Sequence, residues 1–348
     1  MRSYKVAGAS VRARGRRWWG RKIAVSAVAL VATSMASGGL VAGAAVSSAS
    51  PSLTFYFVSH GCPTDPFWPP VWNGAADAGK RLGVRVDILH ITSAQCGSTA
   101  AEVSLLQTAI AAHPAGIATT VTDATSFSPV LKTAAKDGIP VVVFNSAPTA
   151  NGQPSSANPF LAYIGQQNYS AGQGLAQEAV KDFGLRSGAK VVVVDHEPTN
   201  ISLNQRLQGV RAAFKAVGVT PTIVNTSDNI SQGASIVGAY FTTHKNLGAV
   251  LTLGTTGTDE VVQAMSSSGT KQKIGAMDLD SSTLSYIERG TVAFTVDQQP
   301  YLQGYLSIVE LFLDATEGAA PVPISTGPVF LTSQNVKALA KYVDHTGF

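Results

Sequence analysis

Two aromatic side chains, Phe67 and Trp68, stand two and three residues after an acid, Asp65, in the stretch HGCPTDPFWPPVW at residues 60–72. That stretch follows LTFYFVS, an apolar run of the kind that forms a core strand. Exposed aromatics cost solubility, and a lone buried acid is poorly solvated. The combination therefore points to a partner with both an apolar face and hydroxyl groups. The same chemistry recurs after later apolar runs. Asn145 and Ser146 follow IPVVVF, and Asp195, His196, Glu197 and Asn200 follow VVVV. Gly254, Thr255 and Thr256 follow AVLTL, Asp278 follows KIGAM, and Asp297, Gln298 and Gln299 follow AFTV. Carboxylates and amides bridge neighbouring hydroxyls, while aromatic faces cover a ring's C–H surface.

The elements that must position these residues alternate regularly after residue 50. Ten apolar runs read as strands, and most are separated by helical patterns such as NQRLQGVRAAFKAVG, with Leu207, Val210, Ala213, Phe214 and Val217 at three-four spacing. Strand–helix–strand alternation requires crossovers and hence parallel sheets. Ten strands are many for one sheet, so the expectation is an α/β fold of two doubly wound parallel sheets with about five strands each. Ligands of such sheets bind at the carboxyl ends of the strands, which is where the polar residues above fall. Asp123 and Asp280 read as helix N-caps, and His60 and His196 as polar residues at sheet edges. Asp195, His196 and Glu197 are consecutive, and neighbours alternate along a strand, so they are not expected to converge as a metal or catalytic cluster.

Charge and leader narrow the class. The 348 residues are 45% apolar and 13% charged, with a net charge of +4. The first 22 residues hold eight of the 25 bases and no acid, which leaves 17 bases against 21 acids, a net of −4, for the remainder. The basic balance thus belongs to the leader and gives no sign of nucleic acid binding. GRRWWGRK followed by an apolar, Ser- and Gly-diluted run reads as an export signal over residues 1–49, cleaved near residues 44–50. Arg16-Arg17 with Trp19 resembles a twin-arginine motif; the general secretory route and a retained anchor are the alternatives. No lipobox cysteine is present. Cys62 and Cys96 follow the first two strands and read as a disulfide or as two free thiols. A secreted hydrolase would call for G-x-S-x-G, His-Glu-x-x-His or a phosphate loop, and none occurs. No metal or cofactor is expected.

In order and spacing, DPFW, GIPVVVFNS, NQRLQGVRAAF, AVLTLGTTGTDEVVQAM, KIGAMD and VAFTVDQQPYLQGY resemble the type I periplasmic binding proteins, the ribose- and galactose-like receptors of sugar ABC importers. The resemblance covers roughly residues 52–340. It implies two lobes, residues 51–166 plus 299–326 and residues 167–298 plus 327–348, joined by three crossings. It places ligand contacts on Asp65, Phe67, Trp68, Asn145, Asn204, Asp278 and Gln298, with Arg206 and Thr255 nearby. It departs from ribose-type members at Asn145-Ser146, where those have Asp-Arg, and at Asn204. What it implies is capture of a monosaccharide or polyol by a monomer, outside the cytoplasm, and delivery to an ABC permease. A sugar- or furanone-sensing receptor without transport is the alternative.

Overall fold

Valine runs at residues 141–143 and 191–194 lie wholly buried, as expected of central parallel strands covered on both faces. The computed structural model describes residues 53–149, 151–339, 342 and 346. One sheet is built first, from β1 (Thr54–Ser59), β2 (Arg85–His90), β3 (Gly116–Thr119), β4 (Val141–Phe144) and β5 (Ala162–Gly165). Its connecting helices are α1 (Trp68–Leu82), α2 (Thr99–Ala111) and α3 (Ala124–Lys136). After α4 (Asn168–Phe183) the chain builds a second sheet from β6 (Val191–Asp195), β7 (Thr222–Asn225), β8 (Ala249–Thr252), β9 (Ile274–Met277) and β10 (Phe294–Asp297). Here the helices are α5 (Ile201–Ala216), α6 (Ile230–Thr243), α7 (Thr255–Ser268) and α8 (Ser281–Glu288). α9 (Pro300–Glu317) leads to β11 (Ile324–Ser325) in the first sheet, and β12 (Val329–Thr332) ends in the second.

The strand orders are β11-β5-β4-β3-β1-β2 and β12-β10-β9-β8-β6-β7. The pairings among described strands are parallel except that β12 runs antiparallel to β10. The expected two-sheet α/β fold is present, and all ten expected strands form. The sheets hold six strands each, not about five. The added strands, β11 with two residues and the antiparallel, half-exposed β12, both lie at sheet edges. Between the two sheets the chain passes three times: after β5, after β10, and between β11 and β12.

Two close helix crossings anchor the site. On α4, a Cβ at Gly172 would strike the Arg206 carbonyl; on α5, one at Gly209 would strike the Tyr169 carbonyl. The missing side chains bring α5, which carries Arg206, against the start of α4. Gly74 on α1 and Gly304 on α9 meet the same way, facing the carbonyls of Tyr301 and Val71. Asp123 and Asp280 cap α3 and α8, accepting from Ser126 N at 2.6 Å and Thr283 N at 2.7 Å. Among the described residues no helix is long and apolar enough to cross a membrane. The export signal expected over residues 1–49 lies outside the described residues.

Candidate ligand cleft

The carboxyl ends of β1, β4, β6, β8, β9 and β10 open onto one small cavity between the two sheets. Its lining comprises His60, Asp65, Phe67, Trp68, Asn145, His196, Glu197, Asn200, Ser202, Leu203, Arg206, Gly254, Thr255, Asp278 and Gln298. The first sheet contributes the aromatic wall. Trp68 opens α1, with Pro69 and Pro70 in the first turn, where no amide donor is needed. Its ring meets Phe67 edge-on at 5.2 Å and His60 edge-on at 4.6 Å. Trp72 lies behind, stacked on His90 at 4.3 Å and donating from Nε1 to Ser59 Oγ at 3.0 Å.

The second sheet contributes a buried ion pair. Arg206, only 2% exposed, donates to Asp278 Oδ2 at 2.8 Å, Leu253 O at 2.6 Å and Asn168 Oδ1 at 2.9 Å. Gln298 Nε2 donates to Asp278 Oδ1 at 2.6 Å. Burial raises the Asp278 pKa, and the Arg206 charge and both hydrogen bonds oppose the rise. Asn145 Nδ2 lies 3.4 Å from Gln298 Oε1 and 3.2 Å from Gln303 Oε1, which ties the end of β4 to the start of α9. Asn145 and Asp278 both hold positive φ, 56° and 71°, and so does Gln299 at 54°. Left-handed backbone at non-glycine residues costs energy, and Asn145 and Asp278 adopt it at strand ends facing the cavity.

Several direct bonds cross the cleft. Thr255 Oγ1 donates to Asp65 Oδ1 at 2.8 Å. Ser202 Oγ donates to Ser146 Oγ at 2.9 Å, and Asn200 Nδ2 lies 3.3 Å from His60 Nε2. Burial raises the Asp65 carboxyl to about 7, although Phe67 N–H and Thr255 favour the ionised form. Glu197 lies well above the usual carboxylate range because of burial and the charges of Asp228 and Asp65. The cavity these residues enclose is about 20 Å³, room for roughly one water. A larger space of about 580 Å³ adjoins it, sharing His196 and Glu197 and bounded by Cys96, Gly97, Asp228 and Asn229. Cys62 and Cys96 form a disulfide with a Cα–Cα distance of 5.2 Å, tying the aromatic loop to the segment after β2.

Of the residues expected at the site, Asp65, Phe67, Trp68, Asn145, Arg206, Thr255, Asp278 and Gln298 share this cavity. Asn204 does not. It sits on the outward side of α5 and donates from Nδ2 to Pro198 O at 3.1 Å, while Ser202, Leu203 and Arg206 take the inner face. His60 and His196 are not edge residues: both are buried in the lining, at 8% and 5% exposure. Strand alternation does not extend through Asp195-His196-Glu197. β6 ends at Asp195, so the turn beyond it brings both His196 and Glu197 to the cavity. Asp195 stays apart, accepting from Glu197 N at 3.2 Å. Asn200, Ser202, Leu203 and Gly254 also line the cavity and were not among the expected contacts. Of these, Asn200 and Gly254 stand in the strand-end polar inventory, which was the available signal. Among the described residues no cluster of histidine, cysteine or acid suits a metal ion.

Comparison with known proteins bears on this geometry. The family described as periplasmic binding protein domain matches residues 55–317. A xylose/arabinose-binding protein of Sulfolobus acidocaldarius is 29% identical over 300 residues, 82% of this chain and 73% of the relative. A carbohydrate transporter from Acidothermus cellulolyticus 11B, solved in complex with myo-inositol, superposes with a TM-score of 0.75 at 28% identity, covering 86% of this chain and 100% of that one. An ABC sugar transporter, a periplasmic sugar-binding protein from Legionella pneumophila, superposes with a TM-score of 0.74 at 28% identity, covering 79% and 99%.

Proposed function

This chain belongs to the periplasmic binding protein domain family, and from that premise we propose that it captures a monosaccharide or polyol between its two lobes and delivers it to an ABC permease. The family is one of binding proteins that work outside the cytoplasm, not of enzymes. The observation that carries the reading is one cavity with Phe67 and Trp68 on the first sheet's side and Asp278, Arg206 and Gln298 on the second's. A ring held there has its C–H face on the aromatics and its hydroxyls on the carboxylates and amides.

Binding works through closure. A ligand favours the closed form only by the difference between its affinities for closed and open states; moving the balance from 1:99 to 99:1 takes about 5.5 kcal/mol. Asp65, His60 and Asn145 on one side and Thr255, Asn200 and Asp278 on the other meet the ligand together only when the lobes are near. Small-molecule sites commonly measure about 300 Å³ or more. The closed cavity is far smaller, so a ring enters while the lobes are apart and displaces direct bonds such as Asp65–Thr255. The leader over residues 1–49 directs export, by the twin-arginine or the general route, and the mature chain acts as a monomer.

The test is a thermal-shift screen of pentoses, hexoses, inositols and sugar alcohols, followed by calorimetric titration of hits. Saturable stabilisation by one of these, lost in Phe67→Ala, is the expected result. Absence of any response across all four classes overturns the reading.

A further inference from the structure

Asn200 fixes a run of proton positions across the cleft. Its Oδ1 lies 2.8 Å from the backbone N of Ser202, and its Nδ2 lies 2.9 Å from Glu197 Oε2. A backbone N–H can only donate, so Oδ1 must face Ser202, and the orientation of the carboxamide follows. Nδ2 then directs a hydrogen at His60 Nε2, 3.3 Å away on the other lobe. Nε2 must therefore accept, and a neutral imidazole that accepts there carries its proton on Nδ1. Nδ1 lies 2.9 Å from Thr120 Oγ1, which also receives the His60 backbone N–H at 3.1 Å. With both lone pairs of Oγ1 engaged, the threonine's own hydrogen goes to Glu102 Oε1. Thr122 Oγ1 holds the other carboxyl oxygen of Glu102 at 2.8 Å.

We propose that Glu102, acting through Thr120, is a positioning residue that holds His60 as the Nδ1–H tautomer, so that its Nε2 lone pair receives Asn200 and latches the lobes together. The inference rests on the reading that the lobes close around a ligand. Glu102 is fully buried on α2, and its hydrogen bonds among the described residues go to the two threonine hydroxyls, with His60 Nδ1 at 3.9 Å. Burial raises the Glu102 carboxyl to about 8, and the bonds to Thr120 and Thr122 oppose the rise. Burial lowers the His60 pKa to about 3, helped by the charge of Arg206, so the ring stays neutral and its lone pair stays available. The edge contact with Trp68 holds the ring plane.

The experiment needs no ligand, so its failure is distinct from failure of the sugar reading. Long-range ¹H–¹⁵N spectra of ¹⁵N-histidine-labelled mature protein report the tautomer directly. His60 is expected to show a protonated Nδ1 and an unprotonated Nε2. With Asn200→Ser removing the donor to Nε2, Thr120→Val is expected to abolish that preference and Thr120→Ser to keep it. Interlobe distance, read by single-molecule fluorescence between dyes on the two lobes, gives the closed fraction. Asn200→Ser keeps the α5 cap and loses the Nδ2 donor. Thr120→Val and Asn200→Ser should each lower the closed-to-open ratio about threefold to tenfold, as for one neutral hydrogen bond. The double variant should lower it no further. A protonated Nε2 in the parent protein, or additive losses in the double variant, overturns the proposal.

Discussion

Asp65 and Thr255 come from opposite sheets, and the threonine hydroxyl donates to the carboxylate at 2.8 Å. Such a bond contributes about 1.5–3 kcal/mol while Asp65 is ionised, above about pH 7, and about 0.5–1.5 kcal/mol when it is neutral. Thr255→Val should therefore open the unliganded protein, and small-angle scattering should record a larger radius of gyration. An unchanged radius would mean that this contact does not hold the lobes.

The Arg206–Asp278 pair makes a second prediction. Removing one partner leaves the other buried and uncompensated, at a cost of about 3–5 kcal/mol. Asp278→Ala should lower the midpoint of urea unfolding accordingly. Asp278→Asn loses the charge but keeps the shape and one acceptor oxygen, and should lose less. Equal losses would assign the effect to charge instead of shape and hydrogen bonding.

Two glycines make a matched pair. A Cβ at Gly209 on α5 would strike the Tyr169 carbonyl, whereas one at Gly238 on α6 meets nothing nearer than 3.9 Å. Gly209→Ala should destabilise by about 1–3 kcal/mol through overpacking. Gly238→Ala should stabilise by up to about 1 kcal/mol through helix propensity. Denaturant titration of both variants reads the contrast, and a tolerated Gly209→Ala would refute the close crossing.

Stability should rise as the solution is acidified from pH 8.5 to 5.5. Burial raises Asp65 and Asp297 to about 7 and Glu102 to about 8. In that window the folded chain binds protons that the unfolded chain, with ordinary carboxyls, does not. Unfolding stability therefore falls as pH rises, with a slope of about 1.4 kcal/mol per pH unit for each carboxyl titrating only in the folded state. Melting temperature against pH reads this, and Asp65→Asn should flatten the curve. A melting temperature that climbs toward pH 8.5 contradicts the burial of these carboxyls.

The strands were legible because buried parallel strands spell themselves as continuous Val and Ile runs; β4 and β6 are the plainest cases. β11 and β12 were not, since β11 has two residues and β12, half-exposed, follows no strand–helix alternation. Most of the cavity could be read from the rule that polar residues at strand ends face the ligand. Asn204 failed for a specific reason: a helix turns about 100° per residue, and the face that Arg206 shares with Ser202 and Leu203 excludes it. Glu197 was obscured by extending the alternation of a strand past its last residue, Asp195. His60 was obscured because its partners, Thr120 and Asn200, lie 60 and 140 residues away in sequence.

Gln298 lies between β10 and α9, at one of the three passages from sheet to sheet. Points near a pivot travel least when a door swings. A contact made there is kept in the open as well as the closed position, so it adds affinity without favouring either. The residues that pull the door shut must sit away from the pivot, and Asp65, ahead of α1, and Thr255, opening α7, lie outside all three passages. Retuning Gln298 would change how tightly the guest is held; retuning the other two would change how decisively its arrival is announced.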